Sequence, residues 1–245
     1  MKDVINNFIE ELASFKSSSN LFNQYSYELN ANSIRRNNLF LYLQQMANLN
    51  PKMLLVGEAS GYRGCRLTGV PFTSEYILLN GLEPIGLFGE CRGYQKTDEF
   101  EKLWKEASAS IVWETLVKGL YIPLIWNAVP FHPFQGENPL SNRKPTKTEI
   151  AMSKVFLEDL IQLFDIKIII AVGNIAQSTL QTMGLACQKV RHPSYGGKTM
   201  FINGIQELST SLAKNSREAE EIVESSFPFF KYTRIAMASL GIEKW

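Results

Sequence analysis

Three polar residues, each at the end of a segment that reads as a β-strand, have side chains that could do chemistry together. Glu58 follows the run MLLVG, Asn127 follows YIPLIW and His192 follows CQKVR; His132, the second of the two histidines, comes shortly after Asn127. A carboxylate can orient or deprotonate water, a carboxamide offers a donor and an acceptor, and a neutral imidazole can donate one hydrogen bond. If these segments are neighbouring strands, Glu58, Asn127 and His192 converge on one site.

The alternation of apolar and polar residues predicts the elements that must position these groups. Strands are expected at 53–57, 121–129, 167–173 and 187–194, and helices at 3–16, 31–48, 97–119 (capped by Thr97), 146–164, 174–184 and, broken by Pro228, over most of 210–241. Continuously apolar strands that alternate with helices indicate a parallel sheet covered on both faces. We therefore predict an α/β protein, a three-layer α/β/α fold with a central four-stranded parallel sheet. In such sheets, ligands bind beyond the carboxyl ends of the strands.

Length and composition suit one globular domain. We predict a single domain over 1–245, with the motif-bearing core at about 50–200 and helical N- and C-terminal additions. The hydrophobic content is 45% and the net charge is +1, which argues against a histone-like nucleic-acid binder but leaves room for a local basic face.

The cysteines and the apolar runs bear on cofactors and location. Cys65, Cys91 and Cys187 form no CxxC pair and no zinc-ligand pattern with histidine, so we expect reduced thiols, no metal and no cofactor. The acidic N-terminal helix is unlike a signal peptide, and the run 165–173 is too short to span a bilayer. We expect a soluble, cytoplasmic protein that is monomeric and has no membrane partner.

Four segments carry a family resemblance. The segments 57-GEASG-61, 69-GVPFTSE-75, 126-WNAVPFHP-133 and 192-HPS-194 resemble the motifs of the uracil-DNA glycosylase superfamily, in the same order and on the same kinds of element. Together they are specific, although each alone would be weak. The resemblance implies a four-stranded parallel sheet between helices and cleavage of the N-glycosidic bond between a base and deoxyribose. The implied partner is DNA, as a duplex with a flipped nucleotide or as a single strand.

The first motif indicates which branch of the family the chain resembles. Gly-Glu-Ala-x-Gly is similar to the motif of the thermostable iron–sulfur branch, which holds its cluster with four cysteines, whereas this chain has three at unrelated spacings. Ser60 stands where that motif usually has proline. Ala59 stands where other branches carry a water-orienting aspartate or asparagine. Glu58 is the remaining acid near that position, so we assign it the role.

The family's chemistry then implies a role for each strand-end residue. Glu58 offsets the positive charge of the oxocarbenium-like sugar and orients the attacking water. His192 donates to O2 of the anionic base that leaves. Phe72 is the stacking platform for the flipped base. Asn127 reads its Watson–Crick edge, and its amide suits uracil in one orientation and cytosine in the other.

The expected DNA contacts lie in loops on the same side of the sheet. The segment 194-SYGGK-198 is expected to enter the minor groove, with Ser194 and Gly196 close to the backbone and Tyr195 as a wedge. The expected phosphate contacts are Arg63, Arg66, Arg143, Lys144, Arg191 and Lys198. No positioned lysine or N-terminal amine suggests Schiff-base chemistry, so we expect base release without strand cleavage.

Gly61 bears on the choice of substrate. The strictly uracil-specific branch has a bulky tyrosine at this position, which blocks substituents on C5 of the base. With glycine there, the substrate is expected to be uracil or a C5-modified pyrimidine, which leaves open an antiphage enzyme that excises hydroxymethylated or glucosylated cytosine. The insertion 76–100 is the expected place for residues that shape a larger pocket.

Three other functions remain open on the residues alone. The glycines at 57, 61 and 64 follow a strand, as in dinucleotide-binding enzymes, but their spacing is GxxxGxxG rather than GxGxxG. A non-catalytic DNA-binding relative would keep the fold without the activity. A nucleoside hydrolase or an RNA-directed enzyme would share the chemistry on another substrate.

Overall fold

The computed structural model describes residues 1–119 and 121–211. The helices are α1 (Lys2–Ser14), α2 (Asn32–Leu49), α3 (Cys65–Thr68), α4 (Glu75–Asn80), α5 (Ala107–Leu116), α6 (Lys147–Leu163) and α7 (Gly173–Thr182). The strands are β1 (Leu21–Phe22), β2 (Met53–Ala59), β3 (Leu124–Val129), β4 (His132–Pro133), β5 (Ile168–Val172) and β6 (Gln188–Val190). Single 3₁₀ turns occur at Glu83–Ile85 and Glu90–Arg92, and residues 198–211 are helical.

The central sheet has four parallel strands in the order β3-β2-β5-β6. All six residues of β3 are buried, and so are the first five of β2, as continuous apolar runs in a sheet covered on both faces require. Within the sheet, β3 lies on one side of β2, and β5, the next strand of this sheet along the chain, lies on the other side. The strand order therefore reverses beside β2, which is where open α/β sheets bind ligands.

Helices flank this sheet. α6 packs on β3, and α7 packs on β5, β2 and β6. Thr146 caps α6 through a capping box, because its hydroxyl accepts from the N–H of Glu149 and the Glu149 carboxylate accepts from the N–H of Thr146. The predicted α/β fold with a four-stranded parallel sheet is confirmed.

The predicted helix 97–119 is wrong over its first half, because α5 begins only at Ala107. The side chain of Glu99 is turned onto the guanidinium groups of Arg35 and Arg66. The backbone N–H of Trp104 donates to a carboxylate oxygen of Glu75 at 3.0 Å. These contacts with distant parts of the chain hold 97–106 out of the helical conformation and outweigh its helical propensity.

The chain divides into two compact units, Met1–Gly204 and Ile205–Trp245. The sheet and the residues discussed below all belong to the first. The single domain over 1–245 stays a prediction, and most of the helix predicted at 210–241 lies outside the described residues. Within 1–119 and 121–211, no helix is both long and apolar enough to cross a membrane.

Candidate active site

A cleft of about 770 Å³ opens at the carboxyl ends of the parallel strands. The residues singled out from the sequence that line it are Glu58, Ala59, Gly61, Phe72, Asn127, Arg143, Lys144, Arg191, His192, Ser194 and Tyr195. They come from β2 and the loop after it, from β3, and from the loops after α3, β4 and β6. The parallel register explains the convergence, since Gly57 on β2 pairs with Asn127 on β3. The volume suits a ligand of nucleotide size.

Glu58 is the penultimate residue of β2, one residue inside the strand rather than after it, and its side chain is half-buried in the cleft. Burial raises the pKa of this carboxyl, and the positive charge of Lys144 partly opposes that rise. The side chain of Glu58 makes no hydrogen bond or ion pair with another described residue. Its oxygens are therefore available to a water molecule or a substrate in the cleft.

Asn127 and Phe72 meet over Gly57. A Cβ at Gly57 would lie 2.5 Å from Oδ1 of Asn127 and 2.4 Å from Cε2 of Phe72, so only glycine fits between them. Asn127 is 3% exposed, yet its amide bonds to none of the described residues, so its donor and acceptor are free for a ligand. The two side chains thus provide a polar edge and an aromatic face at the bottom of one cleft.

The backbone of Phe72 is held in an unusual conformation. Its φ is +48°, in the left-handed region that bulky residues rarely adopt. The indole N–H of Trp113 donates to the carbonyl of Phe72 at 2.9 Å and helps to hold it there. The ring of Phe72 lies 6.4 Å from that of His192, centroid to centroid. Strain of this kind persists where the surroundings enforce it, and it is common at binding sites.

His192 has a defined tautomer. Its Nδ1 accepts from the backbone N–H of Ser194 at 3.1 Å and lies 2.7 Å from the Ser194 hydroxyl. Burial lowers the pKa of the imidazole, and the nearby charge of Arg191 lowers it further. The ring is therefore neutral near pH 7 and carries its proton on Nε2, which pairs with none of the described residues and is free to donate.

His132 belongs to the framework of the cleft. It is fully buried, and its ring nitrogens contact the carbonyls of Ser60 and Pro139 at 2.7 and 2.9 Å. Ser60, which replaces the usual proline, bonds to the carbonyl of Pro130 and to Sγ of Cys65. These contacts stabilise the loop after β2.

The structure corrects the role expected for Arg66. This side chain is 3% exposed, pairs with Glu99 and packs over the ring of Phe22. Arg35 shares the same carboxylate at 2.7 Å. A guanidinium buried in an internal ion pair cannot reach a DNA phosphate, so Arg66 stabilises the fold.

Arg143 is also committed to internal contacts. It donates to Glu149 and to the carbonyls of Asn20, Phe134 and Lys144. These bonds use all five guanidinium N–H groups. Arg143 therefore ties the loop before α6 in place, and a phosphate would have to displace existing bonds. The predicted phosphate contact is not supported.

The remaining predicted DNA contacts lie on exposed loops. Arg63 is exposed, with its guanidinium over the rings of Tyr62 and Trp104 at about 5 Å. Tyr195 is 97% exposed with a φ of +50°, and Gly196 beside it has a φ of +72°. The other exposed cations are Lys144, Arg191 and Lys198, of which Lys198 lies 3.8 Å from a carboxylate oxygen of Glu114.

Sequence reasoning missed one carboxyl group in the cleft. Glu106 and Ser108 line it at the start of α5, whereas the insertion 76–100 contributes none of the lining residues. The prediction that the insertion shapes the pocket is therefore wrong. Its backbone instead bonds to side chains of α2, as in the N–H of Gln95 to Asn38 and that of Phe88 to Gln45. The sequence placed Glu106 inside a helix, so no local signal pointed to it.

The described residues hold no group of three or more histidine, cysteine or acidic side chains arranged for a metal ion. Cys65 is buried, Cys91 is exposed and Cys187 is intermediate, and all three are free thiols.

Comparisons with known proteins agree with this architecture. The structure of wild-type SMUG2 from Pedobacter heparinus is similar, with a TM-score of 0.61 and 15% sequence identity over 86% of this chain and 98% of that one. At this identity the likeness concerns the fold. No curated protein sequence matches the chain. The model of the uracil DNA glycosylase superfamily matches residues 44–225, well over half of the chain. The chain belongs to the uracil DNA glycosylase superfamily.

Proposed function

We propose that this protein is a monofunctional DNA glycosylase that flips a pyrimidine out of DNA and hydrolyses its N-glycosidic bond. One observation carries the proposal: Glu58, Asn127, Phe72 and His192 line a single cleft. The carboxylate of Glu58, the side-chain amide of Asn127 and Nε2 of His192 pair with no other described residue, while Nδ1 of His192 is held by Ser194. Membership of a family of DNA glycosylases supports the reaction type. The roles of the individual residues are our assignment.

The geometry suits the charges that develop in this reaction. As the bond breaks, the sugar becomes cationic and the base anionic, and an enzyme accelerates the step by stabilising both. Glu58 supplies a negative charge and a site for the attacking water. The Nε2–H of His192 supplies a donor for O2 of the departing base. The face of Phe72 and the amide of Asn127 hold the base while this happens.

The space at Gly61 supports a substrate with a substituent on C5. A Cβ at Gly61 would meet no atom within 4 Å, so no described residue fills the position where a tyrosine would block that substituent. We therefore propose uracil or a C5-modified pyrimidine as the base. The same space would admit the hydroxymethylated or glucosylated cytosine of phage DNA, so excision of hypermodified bases in antiphage defence is the second candidate role.

The proposal is tested with a panel of oligonucleotides. These carry uracil, thymine, 5-methylcytosine, 5-hydroxymethyluracil, 5-hydroxymethylcytosine or glucosylated 5-hydroxymethylcytosine, as single strands and as duplexes. Alkali then converts abasic sites into strand breaks. We expect breaks only after alkali, and we expect Glu58→Gln to abolish them. An absence of abasic product on the whole panel would reject the enzyme in favour of a non-catalytic DNA-binding relative.

A further inference from the structure

We propose that Glu106 is a specificity-determining residue that accepts a hydrogen bond from a hydroxyl group on the C5 substituent of the base. This inference rests on the proposed function, because it concerns the base held in the same cleft. It adds a side chain that the sequence motifs do not include and a defined chemical preference: C5 groups that carry a hydroxyl over C5 groups that do not.

The carboxyl group of Glu106 lies beside the turn after β2. A Cβ at Gly64 would lie 2.8 Å from Oε2 of Glu106 and 2.9 Å from the carbonyl of Thr73. Gly64 belongs to the same tight turn as Gly61, since its N–H donates to the carbonyl of Gly61 at 3.2 Å. Thr73 follows Phe72. The carboxyl of Glu106 therefore lies against the turn that carries Gly61, in the cleft that Phe72 also lines.

The carboxyl of Glu106 has no side-chain partner in the part of the chain that the structure describes. Glu106 is the N-cap residue of α5, but its side chain does not cap the helix. Across residues 1–119 and 121–211 it makes no side-chain hydrogen bond and no ion pair. Burial alone raises the pKa of Glu106 to about 7. A half-buried carboxyl that borders a cleft without a partner leaves its hydrogen-bonding capacity to a ligand.

The group that the Glu106 carboxyl would bind is the C5 substituent of the base. A base stacked on Phe72 with its Watson–Crick edge on Asn127 would direct its C5 substituent past Gly61, toward Glu106. A methyl group there would displace water from the carboxyl without replacing the lost hydrogen bond. A hydroxyl is both a donor and an acceptor, so it pairs with the carboxyl in either protonation state. The hydroxyl can belong to a hydroxymethyl group or to a sugar attached to it.

The experiment compares bases that differ by one hydroxyl. The pairs are 5-hydroxymethyluracil with thymine and 5-hydroxymethylcytosine with 5-methylcytosine, and kcat/KM is measured for each. We expect the wild type to prefer the hydroxymethyl base. Glu106→Leu should reduce that preference by about 3- to 100-fold, the range for loss of a hydrogen bond to a neutral or a charged group. Glu106→Gln, which keeps an acceptor and a donor, should retain most of it.

Controls separate this role from a structural one. Glu101 is an exposed glutamate of the same loop, and Glu101→Leu should leave the preference at its wild-type value. An unchanged preference in Glu106→Leu, or a wild type that prefers the methyl bases, overturns the inference. Glucosylated 5-hydroxymethylcytosine in the same assay tells whether the hydroxyl can come from a sugar.

A binding measurement keeps this test independent of the proposed reaction. The affinities of Glu58→Gln and of Glu58→Gln with Glu106→Leu are compared on the same oligonucleotides. A preference for hydroxymethyl bases that Glu106→Leu removes supports the inference even if the wild type forms no abasic sites, a result that would reject only the proposed function. Equal affinities of the two variants for every base overturn it.

Discussion

The backbone N–H of Ser194 donates to Nδ1 of His192 across 3.1 Å, and this contact decides what the histidine can do. Since Nδ1 is the acceptor, the proton of the neutral ring is on Nε2. Burial and Arg191 keep the pKa of the ring below its ordinary value, so the neutral form persists to lower pH than in a free histidine. The contact between Ser194 and His192, two positions apart in the chain, thus leaves Nε2–H of His192 as a hydrogen-bond donor in the cleft.

Removal of this donor should slow the chemical step. We expect His192→Ala to lower kcat by about 100- to 1,000-fold with a smaller change in KM, because the donor acts mainly on the charge that develops as the base leaves. Single-turnover formation of abasic sites measures this. Ser194→Ala is the matched control: it keeps the backbone donor to Nδ1 and should cost less than about tenfold. Equal losses in the two variants would contradict the tautomer argument.

The pH dependence should report the charge on Glu58. In the proposed mechanism the carboxylate is the active form. Since burial raises its pKa, we expect activity to be lost as the pH falls through a pKa above the ordinary value of 4.5. Lys144 opposes the rise. Lys144→Gln should therefore move the acidic limb of log kcat/KM to higher pH. Lys147→Gln, which changes an exposed lysine three residues away, should leave it in place; a shift in the opposite direction would contradict this account.

Gly61 should control access of C5 substituents. Its position is open and its backbone needs no positive φ, so a side chain can be added without strain. We expect Gly61→Tyr to lower the ratio of kcat/KM for 5-hydroxymethyluracil over uracil by about 100-fold or more, whereas Gly61→Ala should change it by less than about tenfold. An equal loss on both bases in Gly61→Tyr would show that the tyrosine blocks the whole pocket.

Arg66 and Arg63 should behave differently although they lie three residues apart. Arg66→Leu leaves Glu99 with one buried partner and should lower the free energy of unfolding by about 1–3 kcal/mol, seen as a lower Tm. Arg63→Gln should leave Tm unchanged and reduce the slope of log K for DNA against log salt by about one. A reduced salt slope in Arg66→Leu would restore Arg66 as a phosphate contact.

Tyr195 should matter for duplex DNA. Its ring is almost fully exposed, so Tyr195→Ala should leave the stability of the protein unchanged. Without a side chain to fill the gap left by a flipped base, we expect excision from duplex DNA to fall by about tenfold or more. Excision from a single strand, where no stack has to be opened, should fall much less. Equal effects on both substrates would reject the role of wedge.

The sequence by itself determined the fold and the principal side chains of the cleft. Apolar strands that alternate with helices can bury both faces of a sheet only in a layered α/β arrangement. In a parallel sheet, the carboxyl ends of the strands lie at one edge. Glu58, Asn127 and His192 follow from that geometry, because each lies at or near the end of a strand in the chain.

Only the tertiary structure decided how the other charged residues are used. Arg66 and Arg143 are indistinguishable in sequence from phosphate contacts. In the structure, Glu99 from a distant part of the chain occupies the guanidinium group of Arg66, and Glu149 at the start of α6 occupies that of Arg143. The contacts of Glu99 also help to keep 97–106 out of the predicted helix, so α5 begins at Ala107, directly after the cleft-lining Glu106. Such pairings join residues that are distant in the chain or lie on irregular loops, and no periodic pattern encodes them.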